Sequence, residues 1–319
     1  MMGKDWAKEL ATNFALQAAV VAATILLYVL TKHPLFGMLV AIEIIGIVVI
    51  EVREGVKKHG WKGELKDVAV SLGAIVGIWL VMMVVLNTPV PLDAVVSCSM
   101  LPNIERGDMV VVQGAEPIGY CIEMTPSEFE ALKGPAAVTL PGGGEAEVLG
   151  SLYSYCAQVQ DEACVEFAAS PEAFSERRGP LEMHYSLCRR DYGGYYVETP
   201  CISSVTFRGR DYPVNYSHDT IVYQPAEGTL YSLAGDIIHR LYFVVDVDGE
   251  KYYLTKGDNN PQFDIQDYSY QYGMGNVPPG KEQYKGKVIA RIPYVGYLKL
   301  FISGFFSETP YCDSHLALP

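Results

Sequence analysis

The stretch Val96-Ser97-Cys98-Ser99-Met100-Leu101-Pro102-Asn103-Ile104-Glu105-Arg106-Gly107-Asp108-Met109-Val110-Val111-Val112 separates two kinds of text in this chain. Upstream lie three apolar runs. Residues 14–30 are interrupted only by Gln17 and Thr24, residues 35–50 hold one charge, Glu43, and residues 68–86 are 19 positions without any charge. Downstream, the runs shorten to strand length and turn residues become frequent. The charges divide at the same place. Residues 1–88 carry 8 Lys plus Arg against 7 Asp plus Glu, a net of +1; the other 231 carry 16 against 30, a net of −14, which sum to the −13 of the whole 319. The 50% hydrophobic content excludes a disordered chain. The acidity argues against a general nucleic-acid binder, which needs clustered Lys and Arg.

A bilayer core of about 30 Å takes roughly 20 apolar residues as helix. The runs therefore predict a multi-pass membrane protein with three transmembrane helices, at about 14–31, 34–51 and 67–87. Three successive runs argue against a cleaved leader. Segment 53–66 carries Arg53, Lys57, Lys58, Lys62 and Lys66 against Glu54 and Glu64, and it reads as a cytoplasmic loop, as does the N-terminus with Lys4 and Lys8. Everything after residue 88 is then outside the cytoplasm. Glu43 is costly at mid-membrane unless paired, so it is expected to face the other helices.

The exterior part reads as mainly β. Strand patterns appear within 95–112, at 220–223, at 237–247 with a hairpin turn at Asp248-Gly249, and at 287–292. Short helices are expected near 126–132 and 171–176. Residues 115–217 differ: they are rich in Gly and Tyr and hold five of the seven cysteines, namely Cys121, Cys156, Cys164, Cys188 and Cys201. Outside the cell these can pair, leaving one free thiol or a bridge to Cys312; sequence does not give the connectivity. Asn215-Tyr216-Ser217 is a glycosylation sequon. The tail 301–319 begins within an apolar stretch, 298–306, that is too short to span and is suited to a membrane surface.

Ser99 needs a base to become a nucleophile. Of six histidines, His239 alone lies inside a strand-type run, Ile237-Ile238-His239-Arg240-Leu241-Tyr242. Downstream comes a turn rich in acceptors, Thr255-Lys256-Gly257-Asp258-Asn259-Asn260, then Asp264. Ser, His and Asp in this order are one workable triad, because roles rather than chain order define one. Ser97-x-Ser99-Met100-x-Pro102 with Gly107-Asp108, Asp219-Thr-Ile-Val-Tyr223, Ile238-His239-Arg240, the Thr255-to-Asp264 box and Gly286-Lys-Val288 with Ile292-Pro293 and Gly296-Tyr297 together resemble the type I signal peptidase family. His239 stands where bacterial members carry lysine, so the chain is similar to the archaeal and endoplasmic-reticulum branch. The resemblance covers about 67–114 and 218–300 and leaves out 115–217.

The resemblance implies a membrane-bound serine endopeptidase. Its β catalytic domain would be formed by 89–114 and 218–300, with 115–217 as an inserted module. It would cut signal peptides from secreted preproteins at small-x-small sites, through an acyl-enzyme on Ser99. His239 would be the base. Asp264 would orient it, with Asp258 supporting; which of the two touches His239 stays open. Ser97 would help hold the oxyanion. Met100, Ile237 and Tyr242, with Val95, are expected near the substrate. Cys98 is expected as a packed thiol and Arg240 as structural. Lys256 is a rival base, disfavoured because it reads as part of a polar turn. No cofactor or metal is expected. Expected partners are preproteins, the lipid bilayer and the secretion machinery. The expected location is the plasma membrane, with the endoplasmic reticulum second. A non-catalytic adaptor and a peptidase for pilin-like or surface-protein substrates remain alternatives. The inserted module is expected to set substrate range more than chemistry.

Overall fold

Asn13 opens the first helix, its side chain accepting the N–H groups of Ala15 and Leu16. In the computed structural model this helix, α1, spans Phe14–Thr31 and ends at Lys32 in the left-handed region. The structure is described for residues 13–309 and 311–317; the basic Lys4 and Lys8 lie outside the described residues. Pro34 starts α2, Pro34–Leu86, whose single non-helical position is Gly60 (φ 71°, ψ 168°).

Two helices, not three, are therefore long and apolar enough to cross a membrane. The second and third apolar runs are the two limbs of α2, and the basic segment expected as a loop is helical. No proline interrupts it, and i,i+3 pairing such as Glu54 with Lys57 at 2.5 Å supports the helix. Yet α2 is bent. Gly37, near its start, packs against Phe301, and the Leu86 carbonyl at its end accepts the Gly114 N–H at 2.8 Å. A straight helix over that length would run about 70 Å. Both ends rest on one β domain, so the limbs double back at Gly60, where a positive φ suits glycine. The second limb is almost wholly exposed along its apolar length.

The strands in chain order are β1 (Leu92–Ala94), β2 (Met109–Gln113), β3 (Tyr120–Glu123), then helix α3 (Pro126–Ala131), β4 (Ala136–Thr139), β5 (Glu145–Val148), helices α4 (Leu152–Cys156) and α5 (Glu162–Ala169), β6 (Ser175–Arg178), β7 (Leu181–Asp191), β8 (Tyr196–Phe207) and β9 (Arg210–Pro213). There follow β10 (Thr220–Tyr223), β11 (Ile237–Val247), β12 (Glu250–Lys256), β13 (Tyr268–Ser269), β14 (Met274–Gly275), β15 (Tyr284–Ile292), helix α6 (Gly296–Ile302) and β16 (His315–Ala317). One sheet runs β1-β2-β15-β10-β11-β12, with β3 parallel on β11. A second runs β5-β4-β6-β7-β8-β9 within 115–217, with β16 of the tail on β7. The β11–β12 hairpin turns at Asp248 and Gly249, both with positive φ.

The inserted segment does not stand apart. Phe167, Leu181 and Ile202 of the second sheet's side share one core with Phe243, Val245 and Leu254 of the first. In the stretch expected on the membrane surface, Leu300 and Phe301 of α6 pack, with Tyr297 before them, on Tyr28 of α1 and Val40 of α2, while Leu298, Ile302 and Phe305 stay exposed. Arg106 closes this joint. Its guanidinium donates to Tyr28 Oη at 2.6 Å and to the carbonyls of Phe305 (2.7 Å) and Ser307 (3.0 Å). Within the helix pair, Glu43 accepts the Thr24 hydroxyl at 2.9 Å, facing α1 as expected.

Candidate active site

β1 and β2 bring the ends of a fourteen-residue connection together, and Ser99 sits in it, half-buried. His239 lies in β11, opposite Ile221 of β10, and is 4% exposed. Asp264 opens a short 3₁₀ turn after β12 and is equally buried. The three meet. His239 Nε2 lies 2.9 Å from Ser99 Oγ, and Nδ1 lies 2.8 and 2.7 Å from the two Asp264 oxygens. An ionised carboxylate only accepts, so Nδ1 carries the proton and Nε2 is left to take one from the Ser99 hydroxyl. That is the arrangement of a base-activated nucleophile.

Asp264 is itself fixed. Its Oδ2 accepts Tyr223 Oη at 2.9 Å and Thr255 Oγ1 at 2.6 Å, and its carbonyl accepts Asn276 Nδ2 at 2.9 Å. Tyr223 and Thr255 belong to motifs that were visible in the sequence, but nothing in their spacing assigned them to this carboxylate. Ser97 Oγ lies 3.2 Å from Ser99 Oγ, and the Ser99 N–H has no hydrogen-bond acceptor among the described residues. The N–H is therefore uncommitted, and the Ser97 hydroxyl stands against the Ser99 oxygen itself, so both are placed where developing negative charge would need a donor.

Several expected assignments change. Asp258 does not support His239. Both its oxygens take the Arg240 guanidinium, each at 2.6 Å, and Asn103 Nδ2 donates to it at 2.7 Å. It is a buried structural ion pair on the face opposite the triad. Lys256 is not in a polar turn: it closes β12, is 4% exposed and pairs in register with Arg240. Paired residues share a face, so it points with Arg240 away from His239. Its Nζ donates to the Gly257 carbonyl at 3.1 Å. Burial pushes this amine down to about 8.

Cys98 is not a free packed thiol but is bridged to Cys312; Cys156–Cys164 and Cys188–Cys201 are the other bridges, and Cys121 is free and exposed. Met100 and Val95 lie inside a small core with Val110, Val112 and Ile238 and offer no surface to a substrate. Tyr242 is buried in the large core, its hydroxyl donating to the Tyr212 carbonyl. Of the expected substrate contacts, only Ile237 remains half-exposed.

The backbone beside it is open. β10 pairs with β11 over Ile237–Arg240 on one edge. On the other edge the β12 ladder begins only at Arg240, so residues 237–239 have no strand partner there among the described residues. A further carboxyl borders the triad. Asp267, missed by sequence reading, accepts Tyr231 Oη and Gln262 Nε2, and burial pushes it up to about 6.

A scan against protein-family models finds no match to this chain. A search of the curated proteins finds none either.

Proposed function

We propose that the chain is a membrane-anchored serine endopeptidase that removes signal peptides from secreted preproteins. One observation carries this reading: Ser99, His239 and Asp264, drawn from three separate segments, form one continuous hydrogen-bonded line. The motif resemblance supplies the substrate class. His239 would take the Ser99 proton as Oγ attacks the scissile carbonyl, and would return it to the leaving amine. The Ser99 N–H and the Ser97 hydroxyl would receive the oxyanion, each such donor being worth roughly 3 kcal/mol. A preprotein segment would lie extended along the open edge of β11 at 237–239. Ile237 would help restrict the nearest side chains to small ones.

On this reading α1 and the two limbs of α2, each long enough to cross a bilayer once, anchor the β domain outside the cytoplasm. Three disulfides agree with an oxidising compartment. The test is cleavage of a preprotein by the full chain in membranes. Ser99→Ala and His239→Ala should abolish it, falling by at least about 10³-fold. Lys256→Met should retain it. Activity surviving Ser99→Ala would sink the mechanism, and loss with Lys256→Met but not His239→Ala would make it a Ser–Lys enzyme.

A further inference from the structure

The segment that carries Ser99 has neither helix nor strand, so something else must hold the nucleophile in place. Asn259 does. Its backbone N–H donates to the Ser99 carbonyl at 2.7 Å, and its Nδ2 donates to the Cys98 carbonyl at 3.0 Å. The backbones meet so closely here that a Cβ on Gly257 would stand 2.7 Å from the Ser99 carbonyl oxygen. Asn259 is 3% exposed and is held in turn from the inserted module. Arg190 of β7 donates through Nη1 to Asn259 Oδ1 and through Nη2 to its carbonyl, both at 3.0 Å. The Leu316 N–H of β16 donates to the same Oδ1 at 2.9 Å. Two donors on Oδ1 decide which way the amide faces, and so turn Nδ2 toward the carbonyls of Cys98, Ser314 (3.0 Å) and Tyr311 (3.2 Å).

Arg190 is 6% exposed; its guanidinium lies over the Tyr311 ring at 4.9 Å and makes no ion pair with a carboxylate among the described residues. A guanidinium buried among neutral acceptors is a costly way to glue two units together. What it offers beyond an apolar contact is a planar fork that fixes two acceptors at once. The module also grips the same loop elsewhere: the Ile202 N–H donates to the Pro261 carbonyl at 2.8 Å, and Glu176 accepts Gln266 Nε2 at 2.8 Å.

We propose that Arg190 is a positioning residue for the nucleophile, acting through Asn259, and that the inserted module is thereby part of the active-site frame. This rests on the reading of Ser99 as nucleophile and runs against the expectation that the module sets substrate range more than chemistry.

The test uses the full chain in lipid–detergent micelles, with a fluorophosphonate as probe. Ser99 Oγ bonds to phosphorus, the P–F bond breaks, and fluoride and the hydroxyl proton leave. Peptide mass spectrometry locates the adduct. In Arg190→Met, the labelling rate at Ser99 and kcat on a preprotein should both fall about tenfold to a hundredfold, with KM unchanged. Arg190→Lys should recover part of each, and amide exchange over residues 96–103 should be faster than wild type in both. If Arg190→Met does not fold, Arg190→Lys carries the test through the same readouts. Labelling and kcat within twofold of wild type in the folded variants would overturn the proposal, as would a change confined to KM. Absence of labelling at Ser99 in the wild type would instead refute the nucleophile reading. Exchange over 96–103 in Arg190→Lys would then still report whether Arg190 holds that loop: faster exchange supports the positioning role, and unchanged exchange overturns it.

Discussion

Asp258 and Asp264 are six positions apart in one box, and their neighbours divide their work. Asp264 takes His239, Tyr223 and Thr255; Asp258 takes Arg240 and Asn103. Lys256, the last residue of β12 and the second of this box, is the residue whose charge folding disfavours. Unfolded, its amine holds a proton up to the ordinary 10.5; folded, only up to about 8. Between those values the unfolded chain binds more protons, so stability rises with pH across that window. Below about 8 both states are protonated and the full penalty is present, on the order of 3 kcal/mol. The buried Tyr223 and Tyr231 hydroxyls, held well above their usual range, bring the opposite trend above about 10. The wild type should therefore melt at a higher temperature near pH 9.5 than near pH 7.5. Lys256→Met should be more stable at pH 7.5 and should lose that rise. Melting curves in detergent at the two pH values check both, and a flat wild-type profile would contradict the argument. At this scale the sequence showed Ser99, His239 and the two carboxylates. It did not show which carboxylate faces the histidine, because that depends on how a turn after β12 closes over β11.

The helices were legible as apolar runs, but their joints were not. A run of charged residues between two apolar stretches reads as a loop, yet Lys and Glu are good helix formers, and only Gly60 departs from helical geometry. The joint at the other end depends on Arg106. That residue sits inside the Ser97-to-Asp108 motif and reaches from there to α1 and to the tail beyond α6. Arg106→Met leaves Tyr28 Oη and three carbonyls, those of Val96, Phe305 and Ser307, without their donor, at about 1–3 kcal/mol for each one left buried and unpaired. We expect a lower melting temperature in micelles. On the proposed peptidase reading, cleavage of a membrane-inserted preprotein should fall more than cleavage of a short soluble peptide, since the variant loosens the seat of the β domain on α1 rather than the triad. Equal losses on both substrates would refute that division.

Over the whole molecule the chain is closed on itself by the tail. β16 adds to β7 of the second sheet, and the Cys98–Cys312 bridge ties the tail to the residue next to Ser99, across a separation of 214. Cross-linking a loop of that length removes chain entropy from the unfolded state worth up to roughly 5 kcal/mol. The double variant Cys98→Ser/Cys312→Ser should therefore melt well below the wild type under non-reducing conditions. The difference should shrink when the wild type is reduced; melting curves with and without reductant measure it. The inserted module was the least legible region. Its strands β4 to β9 pair into a sheet and share the large core with β11 and β12. Within 115–217 the sequence showed a Gly- and Tyr-rich tract with cysteines and two short helices, of which the one near 126–132 forms as α3 while the one near 171–176 is only a 3₁₀ turn at Pro171–Ala173 leading into β6.

The sequence by itself determined what is local. The apolar lengths made membrane-length helices, the alternating runs made β10, β11 and β12, Asp248-Gly249 made the hairpin, and the motif order placed a serine, a histidine and an aspartate in plausible roles. Tertiary structure decided what depends on partners far apart in the chain. It chose Asp264 over Asp258, turned Lys256 away from His239, buried Tyr242 and Met100, paired Cys98 with Cys312, and set Arg190 of the module behind Asn259. Periodicity and turn chemistry act over a few residues, where neighbours in sequence are neighbours in space. Which side chains face one another across two sheets is fixed only when register, bends and the shared core are all in place.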